Sequence, residues 1–150
     1  MTKKRFWDII AASRSEFDRE DVYGSRARQV SRLHDLLSAL SIEEVQAFAQ
    51  FFADRLDEAY SKPQHIVDGE PQDGLWAVAF NIGGGCSDDM FHDFRNWLIS
   101  MGKVAYEAAL ADPETVYDVA SENGLEEDVF FEEFEYVASR VWREKTGQEG

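Results

Sequence analysis

The fold of this 150-residue chain is decided by its central stretch, LWAVAFNIGGGCSDDMFHDFRNWLISM, residues 75–101. Residues 75–82 are apolar on every side, and their alanines and lack of alternation predict a short buried helix rather than a strand. The three glycines at 83–85 end this helix, because glycine accepts positive φ without strain. Ser87 is then the predicted N-cap of a second helix that reaches about Met101.

Helical patterns continue on both sides of this pair, and no stretch alternates polar and apolar residues as a half-buried strand would. Caps, breakers and apolar residues spaced by three and four define six further predicted helices. These helices cover residues 2–13, 25–40, 41–60, 103–111, 113–124 and 126–145. We therefore predict an all-α fold with a single domain over residues 1–150. Its architecture would be a compact bundle of about six to eight helices around a buried central helix pair.

One connection is much longer than the others and is the predicted flexible loop. Residues 61–74 contain two of the three prolines of the chain, two of its glycines and several acidic residues. This composition is typical of an irregular segment. A shorter polar stretch, residues 14–24, is also predicted to be a loop.

The charge of the chain is strongly negative and unevenly distributed. Fifteen Lys and Arg stand against thirty Asp and Glu, which gives a net charge of −15. Residues 104–150 carry three basic and thirteen acidic side chains, whereas residues 1–36 carry eight basic and six acidic ones. A surface this acidic repels phosphate backbones and anionic lipids, so we predict no binding to nucleic acids or membranes. The acidic segment is either a solvated face or a surface that docks on the basic first third or on a partner.

Cysteine usage and hydropathy indicate the compartment. Cys86 is the only cysteine, so no intrachain disulfide can form, as is usual in a reducing compartment. No apolar run approaches the roughly 20 residues of a membrane span, and the polar start of the chain lacks a signal-peptide core. We predict a soluble, cytoplasmic protein.

Motifs distributed along most of the chain resemble one family. They are Phe6-Trp7, Leu40-Ser41, Leu75-Trp76-Ala77, Gly84-Gly85-Cys86-Ser87-Asp88-Asp89, Phe94-Arg95 with Trp97-Leu98-Ile99, Ala109 to Pro113, and Glu132 to Ala138. On these residues the chain resembles the domain-of-unknown-function family 4240, a bacterial family common in actinobacteria. The resemblance implies no activity, substrate or cofactor. Residues 61–74 are longer and more acidic than is usual in that family.

Four polar residues of the central stretch form the candidate site: Cys86, Asp88, His92 and Arg95. Cys86 precedes a helix N-terminus, which can lower the pKa of a thiol, but the nearby Asp88 disfavours a thiolate. Asp88 and His92 are four residues apart and could share a metal, but no second cluster in the sequence completes the ligand shell. We predict no catalytic residue, no metal and no cofactor, and a reactive Cys86 is the alternative.

The helical wheel of residues 87–101 places two charged residues on the apolar side of the helix. At about 100° per residue, Asp88 and Arg95 fall on the apolar arc, whereas Asn96 and Ser100 fall on the opposite, polar side. A buried guanidinium without a partner is costly, so Arg95 is predicted to be buried against a carboxylate or several backbone carbonyls. It serves either as part of an architectural ion pair or as the residue that holds an anion in a ligand pocket.

Two classes of function remain open at this point. The first is a non-enzymatic interaction or regulatory module with a protein partner, which the acidity and the lack of an assembled catalytic set favour. The second is a small enzyme or anionic-ligand binder with its site around Cys86, Asp88, His92 and Arg95. A pocket that joins these four residues favours the second class, and a closed, packed arrangement favours the first. The oligomeric state is not predicted.

Overall fold

The structure is a computed structural model that describes residues 1–125 and 128–148. The described elements are α1 (Lys3–Ser13), α2 (Val22–Ser38), α3 (Ile42–Glu58), β1 (Ile66–Val67), β2 (Glu70–Pro71), α4 (Gly74–Gly83), α5 (Asp88–Ser100), α6 (Lys103–Ala111), α7 (Thr115–Glu122), α8 (Glu132–Glu135) and α9 (Val137–Thr146). Within those residues, eight helices have eight residues or more, α8 is a single turn, and the only strands are the two short ones. The predicted all-α bundle is confirmed.

Three predicted helix starts are confirmed by their cap bonds. The hydroxyls of Thr2, Ser41 and Ser87 each accept a hydrogen bond from the backbone amide three residues later, at 3.1–3.2 Å. These bonds satisfy amides that the helices leave unpaired. The sequence therefore places the starts of α1, α3 and α5 to the residue.

The start of α2 differs from the prediction. The helix begins at Val22 instead of residue 25 and ends at Ser38, two residues early. Asp21 is the N-cap, and its carboxylate accepts a hydrogen bond from the amide of Gly24 at 3.1 Å. Gly24 therefore lies in the first turn of the helix, where its amide is one of the donors that an N-cap side chain satisfies.

The last predicted helix, 126–145, is wrong in its first part. Residues 128–131 are not helical, and the chain then forms α8 and α9 with a break at Tyr136. The amide of Phe131 donates to the carbonyl of Asp93 at 3.0 Å, so this segment bonds to α5 instead of to its own helix. Residues 126 and 127 lie outside the described part of the chain.

The long connection contains a hairpin that the sequence analysis missed. Strands β1 and β2 pair in antiparallel register, with Ile66 opposite Pro71. Asp68 and Gly69 form the turn with φ values of 53° and 78°, the positive values that a two-residue hairpin turn of type I′ requires. Two-residue strands are too short to show an alternation. The flexibility of residues 61–74 stays a prediction.

Helix α5 lies at the centre of the bundle and packs against α3, α4, α6 and α8. Leu98 and Ile99 are fully buried, as predicted for the central helix pair. The predicted polar side of this helix is wrong in its second half, because Asn96 and Ser100 are buried as well. Asn96 donates to a carboxylate of α8 at 3.0 Å, and the carbonyl of Ser100 accepts from Gln29 at 2.9 Å. A helix with neighbours on all sides needs such internal partners for its polar groups.

Candidate functional site

Arg95 is buried and caps the end of another helix. Only 7% of its surface is exposed. Its Nη1 donates to the carbonyl of Leu56 at 2.7 Å, and its Nε donates to the carbonyl of Phe91 at 3.4 Å. The Leu56 carbonyl is one of the last four of α3, which have no partner within their own helix. The predicted burial of Arg95 against backbone carbonyls is confirmed.

Aromatic rings cover the guanidinium of Arg95 on two sides. Its Cζ lies 4.9 Å from the ring centroid of Tyr60 and 5.1 Å from that of Phe91. Trp76 stacks on Phe91 with centroids 4.8 Å apart, which extends the aromatic layer to α4. Burial lowers the pKa of Arg95, and the nearby carboxylate of Asp88 opposes this effect. At neutral pH the guanidinium is still charged, because its ordinary pKa lies far above that range.

His92 links Arg95 to α8. Its Nδ1 lies 3.4 Å from Nη2 of Arg95, and its Nε2 lies 2.7 Å from a carboxylate oxygen of Glu135. Arg95 can only donate, so Nδ1 is the acceptor, and a neutral His92 then carries its proton on Nε2 and donates to Glu135. Asn96 donates to the same oxygen of Glu135 at 3.0 Å. This network holds α8 against α5.

Among the described residues, no carboxylate forms an ion pair with Arg95. Ion pairs instead join Arg55 to Glu58 and His92 to Glu135. Glu135 reaches Arg95 only through His92. The predicted architectural ion pair is therefore replaced by carbonyl caps and aromatic faces. Of the five N–H donors of a guanidinium, three have partners in the described part of the chain.

Arg95 and His92 open onto a depression of about 470 Å³ between α3 and α5. We call it the Arg95 depression, and it is lined by Ala53, Leu56, Asp57, Tyr60, His92 and Arg95. Its floor holds one buried cation, and Asp57 is an exposed carboxylate in its wall. The depression therefore joins two of the four predicted site residues.

Cys86 lies in a different cavity and is poorly suited to be a nucleophile. Burial, with the nearby charges of Asp88 and Asp93, raises its pKa to about 11. A thiol with this pKa is almost entirely protonated at neutral pH, whereas a catalytic cysteine needs a thiolate. Trp76 donates its indole N–H to the Cys86 carbonyl at 2.9 Å, so the backbone here is tied to α4. The hydrogen bond involves the backbone of Cys86 and not its thiol.

Asp88 is exposed, so its predicted place on the buried arc is wrong. It stands in the first turn of α5, where the positive end of the helix favours a carboxylate and the surrounding chain does not cover it. Its negative charge raises the pKa of both Cys86 and Arg95. Asp88 is thus an electrostatic neighbour of the two residues and does not bond to them.

Sequence reasoning missed Tyr60, Leu56 and Asp57, which complete the Arg95 depression. Tyr60 follows the C-terminus of α3, and an isolated tyrosine after a helix carries no signal of its own in the sequence. Leu56 contributes through its backbone carbonyl, which no side-chain pattern reveals. Only the packing of α3 on α5 brings these groups to Arg95.

Among the described residues, no three or more His, Cys, Asp or Glu side chains form a group that could hold a metal ion. No helix among them is both long and apolar enough to cross a membrane.

Fold and site together define an all-α protein whose central helix presents a buried arginine to a surface depression. A model of the family described as "Protein of unknown function (DUF4240)" matches residues 1–144. The chain belongs to this family, as its sequence motifs indicate. No curated protein and no solved structure matches the chain significantly.

Proposed function

We propose that this chain is a non-enzymatic binding module that receives an anionic group of its partner in the Arg95 depression. The observation that carries the proposal is a buried cation without a carboxylate partner among the described residues, at the floor of an open depression. Burying a charge is costly unless another charge or several hydrogen bonds compensate it. Asp88, Asp57 and Glu135 act on this cation only from a distance, and a bound anion would add a direct counter-charge.

The hydrogen bonds of Arg95 support this role. Three bonds, to Leu56, Phe91 and His92, fix the side chain and leave two N–H donors without partners in the described part of the chain. A guanidinium that its own protein already holds in place loses little entropy when it binds a carboxylate. Two free donors are also the number that a carboxylate accepts in a bidentate contact.

The state of Cys86 favours binding over catalysis. An enzyme built on this thiol would need a lowered pKa and a base within hydrogen-bond reach. The pKa of Cys86 is instead raised to about 11, and His92 bonds to Arg95 and Glu135. These observations favour a binding module over the alternative of a small enzyme with its site around Cys86, Asp88, His92 and Arg95.

A titration with N-acetylglycine, a minimal carboxylate, tests the proposal by NMR. The side-chain Nε–H signal of Arg95 and the backbone amides near Tyr60 should shift in a saturable way at millimolar concentrations. N-Acetylglycinamide, which lacks the charge, should leave them unchanged. Absence of saturable shifts with the acid, or equal shifts with the amide, contradicts the proposal.

A pair of charge variants on α3 sharpens this test. Asp57 lines the depression, so Asp57→Asn should tighten N-acetylglycine binding by about threefold, because it removes a repelling charge. Asp54→Asn is the matched control, since Asp54 is exposed on the same helix and outside the depression. Equal affinities of the two variants would show that the anion binds elsewhere.

The nature of the partner and the location of the protein are further parts of the proposal. We propose a protein partner and a bacterial cytoplasm, with no binding to nucleic acids or membranes. The strong net charge of −15 and the unpaired Cys86 support these expectations. Capture of the partner from a native lysate, compared between the wild type and Arg95→Lys, tests whether it docks at this depression.

A further inference from the structure

A second concave site adjoins the Arg95 depression. We call it the hairpin cavity, because β1 and β2 form one wall and α4 forms another. It has a volume of about 330 Å³, and its apolar lining includes Tyr60, Pro63, Ile66, Trp76, Phe80 and Cys86. This volume lies in the range of small-ligand sites, which are mostly apolar with few polar groups.

Tyr60 belongs to both sites. It lines the Arg95 depression and the hairpin cavity, so the two are neighbours on one surface. A buried cation and an apolar space therefore both lie next to this residue. A molecule with an anionic group next to an apolar body fits this arrangement.

The basic residues of this region support an anionic occupant. Lys62 is the only Lys or Arg between Arg55 and Arg95, and it lines the hairpin cavity. In a chain with a net charge of −15, two cations thus flank the shared Tyr60. An exposed lysine at the edge of an apolar cavity attracts anions and leaves the apolar floor intact.

We propose that the ligand of this module is an apolar carboxylate, with its carboxylate at Arg95 and its hydrocarbon or aromatic body in the hairpin cavity. This inference rests on the proposed function and adds the second half of the ligand. A free small acid and the C-terminus of a peptide that ends in an apolar residue are the two sources of such a carboxylate, and the fourth probe below distinguishes them. Both sources present the same chemistry to Tyr60, Lys62 and Arg95.

Isothermal titration calorimetry with three probes tests the proposal on the wild-type chain. The probes are N-acetylleucine, N-acetylglycine and N-acetylleucinamide. N-Acetylleucine should bind about tenfold tighter than N-acetylglycine, the factor expected when a leucine side chain is largely buried. It should also bind at least tenfold tighter than the amide, which lacks the charge.

Two variants at exposed positions, each with a matched control, test the apolar wall and the lysine of the hairpin cavity. Ile66 is 62% exposed at the cavity wall, so Ile66→Ser should weaken N-acetylleucine several-fold and leave N-acetylglycine unchanged. Val104→Ser is its control, because Val104 is 85% exposed on α6 and lines neither site. Lys62→Gln should weaken both acids by about threefold, whereas Lys4→Gln should weaken neither.

The outcomes separate this inference from the proposed function. Equal affinities for N-acetylleucine and N-acetylglycine would overturn the apolar half and leave the anion site of the proposed function standing. No binding of either acid, or equal binding of the amide, would overturn both. Loss of N-acetylleucine affinity in Val104→Ser as large as in Ile66→Ser would also contradict the assigned place.

A fourth probe, an acetylated tetrapeptide Ala-Ala-Ala-Leu with a free C-terminus, distinguishes the two sources. Tighter binding than N-acetylleucine supports the C-terminus of a protein partner, because residues before the leucine then add contacts. Weaker or equal binding supports a free small acid. A tetrapeptide amide that binds as well as the acid would contradict the role of the carboxylate.

Discussion

The guanidinium of Arg95 is the C-terminal cap of α3, because it donates to a Leu56 carbonyl that the helix itself leaves without a partner. A cation at this end of a helix also interacts favourably with the helix dipole. The same group faces the Arg95 depression and retains free donors toward it among the described residues. One residue thus connects the packing of α3 on α5 with the proposed recognition of an anion.

Because Arg95 caps the C-terminus of α3, its substitution should lower the stability of the protein. Arg95→Ala should lower the free energy of unfolding by roughly 2–3 kcal/mol, the range for a hydrogen bond to a charged group, because the buried Leu56 carbonyl loses its donor. Arg95→Lys should recover only part of this loss, since an ammonium cannot reach all three partners and cover the rings at once. Urea denaturation measures both. If Arg95→Ala were as stable as the wild type, Arg95 would not stabilise the packing of α3, and only its role in the Arg95 depression would remain.

The thiol of Cys86 gives a prediction on pH. Because its pKa is raised to about 11, the rate of alkylation by iodoacetamide should keep rising from pH 8 to pH 10, where a free cysteine already levels off. Asp88→Asn should lower this pKa, because it removes a negative charge that opposes the thiolate. A pH–rate profile of both proteins checks this. A midpoint near 8.5 in the wild type contradicts the assigned environment.

The helical wheel predicted the burial of Arg95 correctly and that of Asp88 wrongly, and it did not predict the groups that contact Arg95. The apolar residues around Arg95 on the helical wheel correctly indicated burial. Asp88 is on the same arc and is exposed, because it stands in the first turn of α5, where no other element covers it. The Leu56 carbonyl belongs to α3 and Tyr60 follows that helix, and a segment distant in sequence leaves no mark in the local pattern of α5.

The turn between α4 and α5 connects the two helices of the predicted central pair. Gly84 ends α4 in the left-handed conformation, with φ at 71°, and leads the chain to the Ser87 cap. Gly84→Ala should cost about 1 kcal/mol, because a Cβ is strained at this φ although nothing lies within 4 Å of it. Gly84→Asn should cost less, since asparagine tolerates this conformation.

Thermal unfolding of both Gly84 variants checks this prediction, and the order of their melting temperatures is the decisive observation. Wild-type protein should melt highest, the asparagine variant next and the alanine variant lowest. An alanine variant as stable as the wild type would show that the turn does not need positive φ.

The break between α8 and α9 could not be predicted from the sequence. Residues 126–145 have a continuous helical pattern, and no proline or glycine interrupts them. The helix fails because the Phe131 amide bonds to Asp93 of α5, and Glu135 is held by His92 and Asn96. Tertiary hydrogen bonds therefore override a local propensity that is worth only tenths of a kcal/mol per residue.

For the whole molecule, the net charge of −15 leads to a prediction on nucleic acids. The purified protein should give no mobility shift with duplex DNA at physiological salt and micromolar concentration, because it has too few clustered cations to release counterions. A shift that weakens as salt rises would contradict this expectation. The same measurement with Asp57→Asn controls for the anion site, since one removed charge should not create DNA binding.

The proposed binding mode places the charge of an apolar carboxylate at Arg95 and its apolar body in the hairpin cavity. A crystal structure of the protein grown with saturating N-acetylleucine shows where such a ligand binds. We expect carboxylate density within hydrogen-bond distance of the Arg95 guanidinium, and the leucine side chain between Ile66 and Trp76. Density for the ligand at another surface, with the Arg95 depression and the hairpin cavity holding only water, would contradict it.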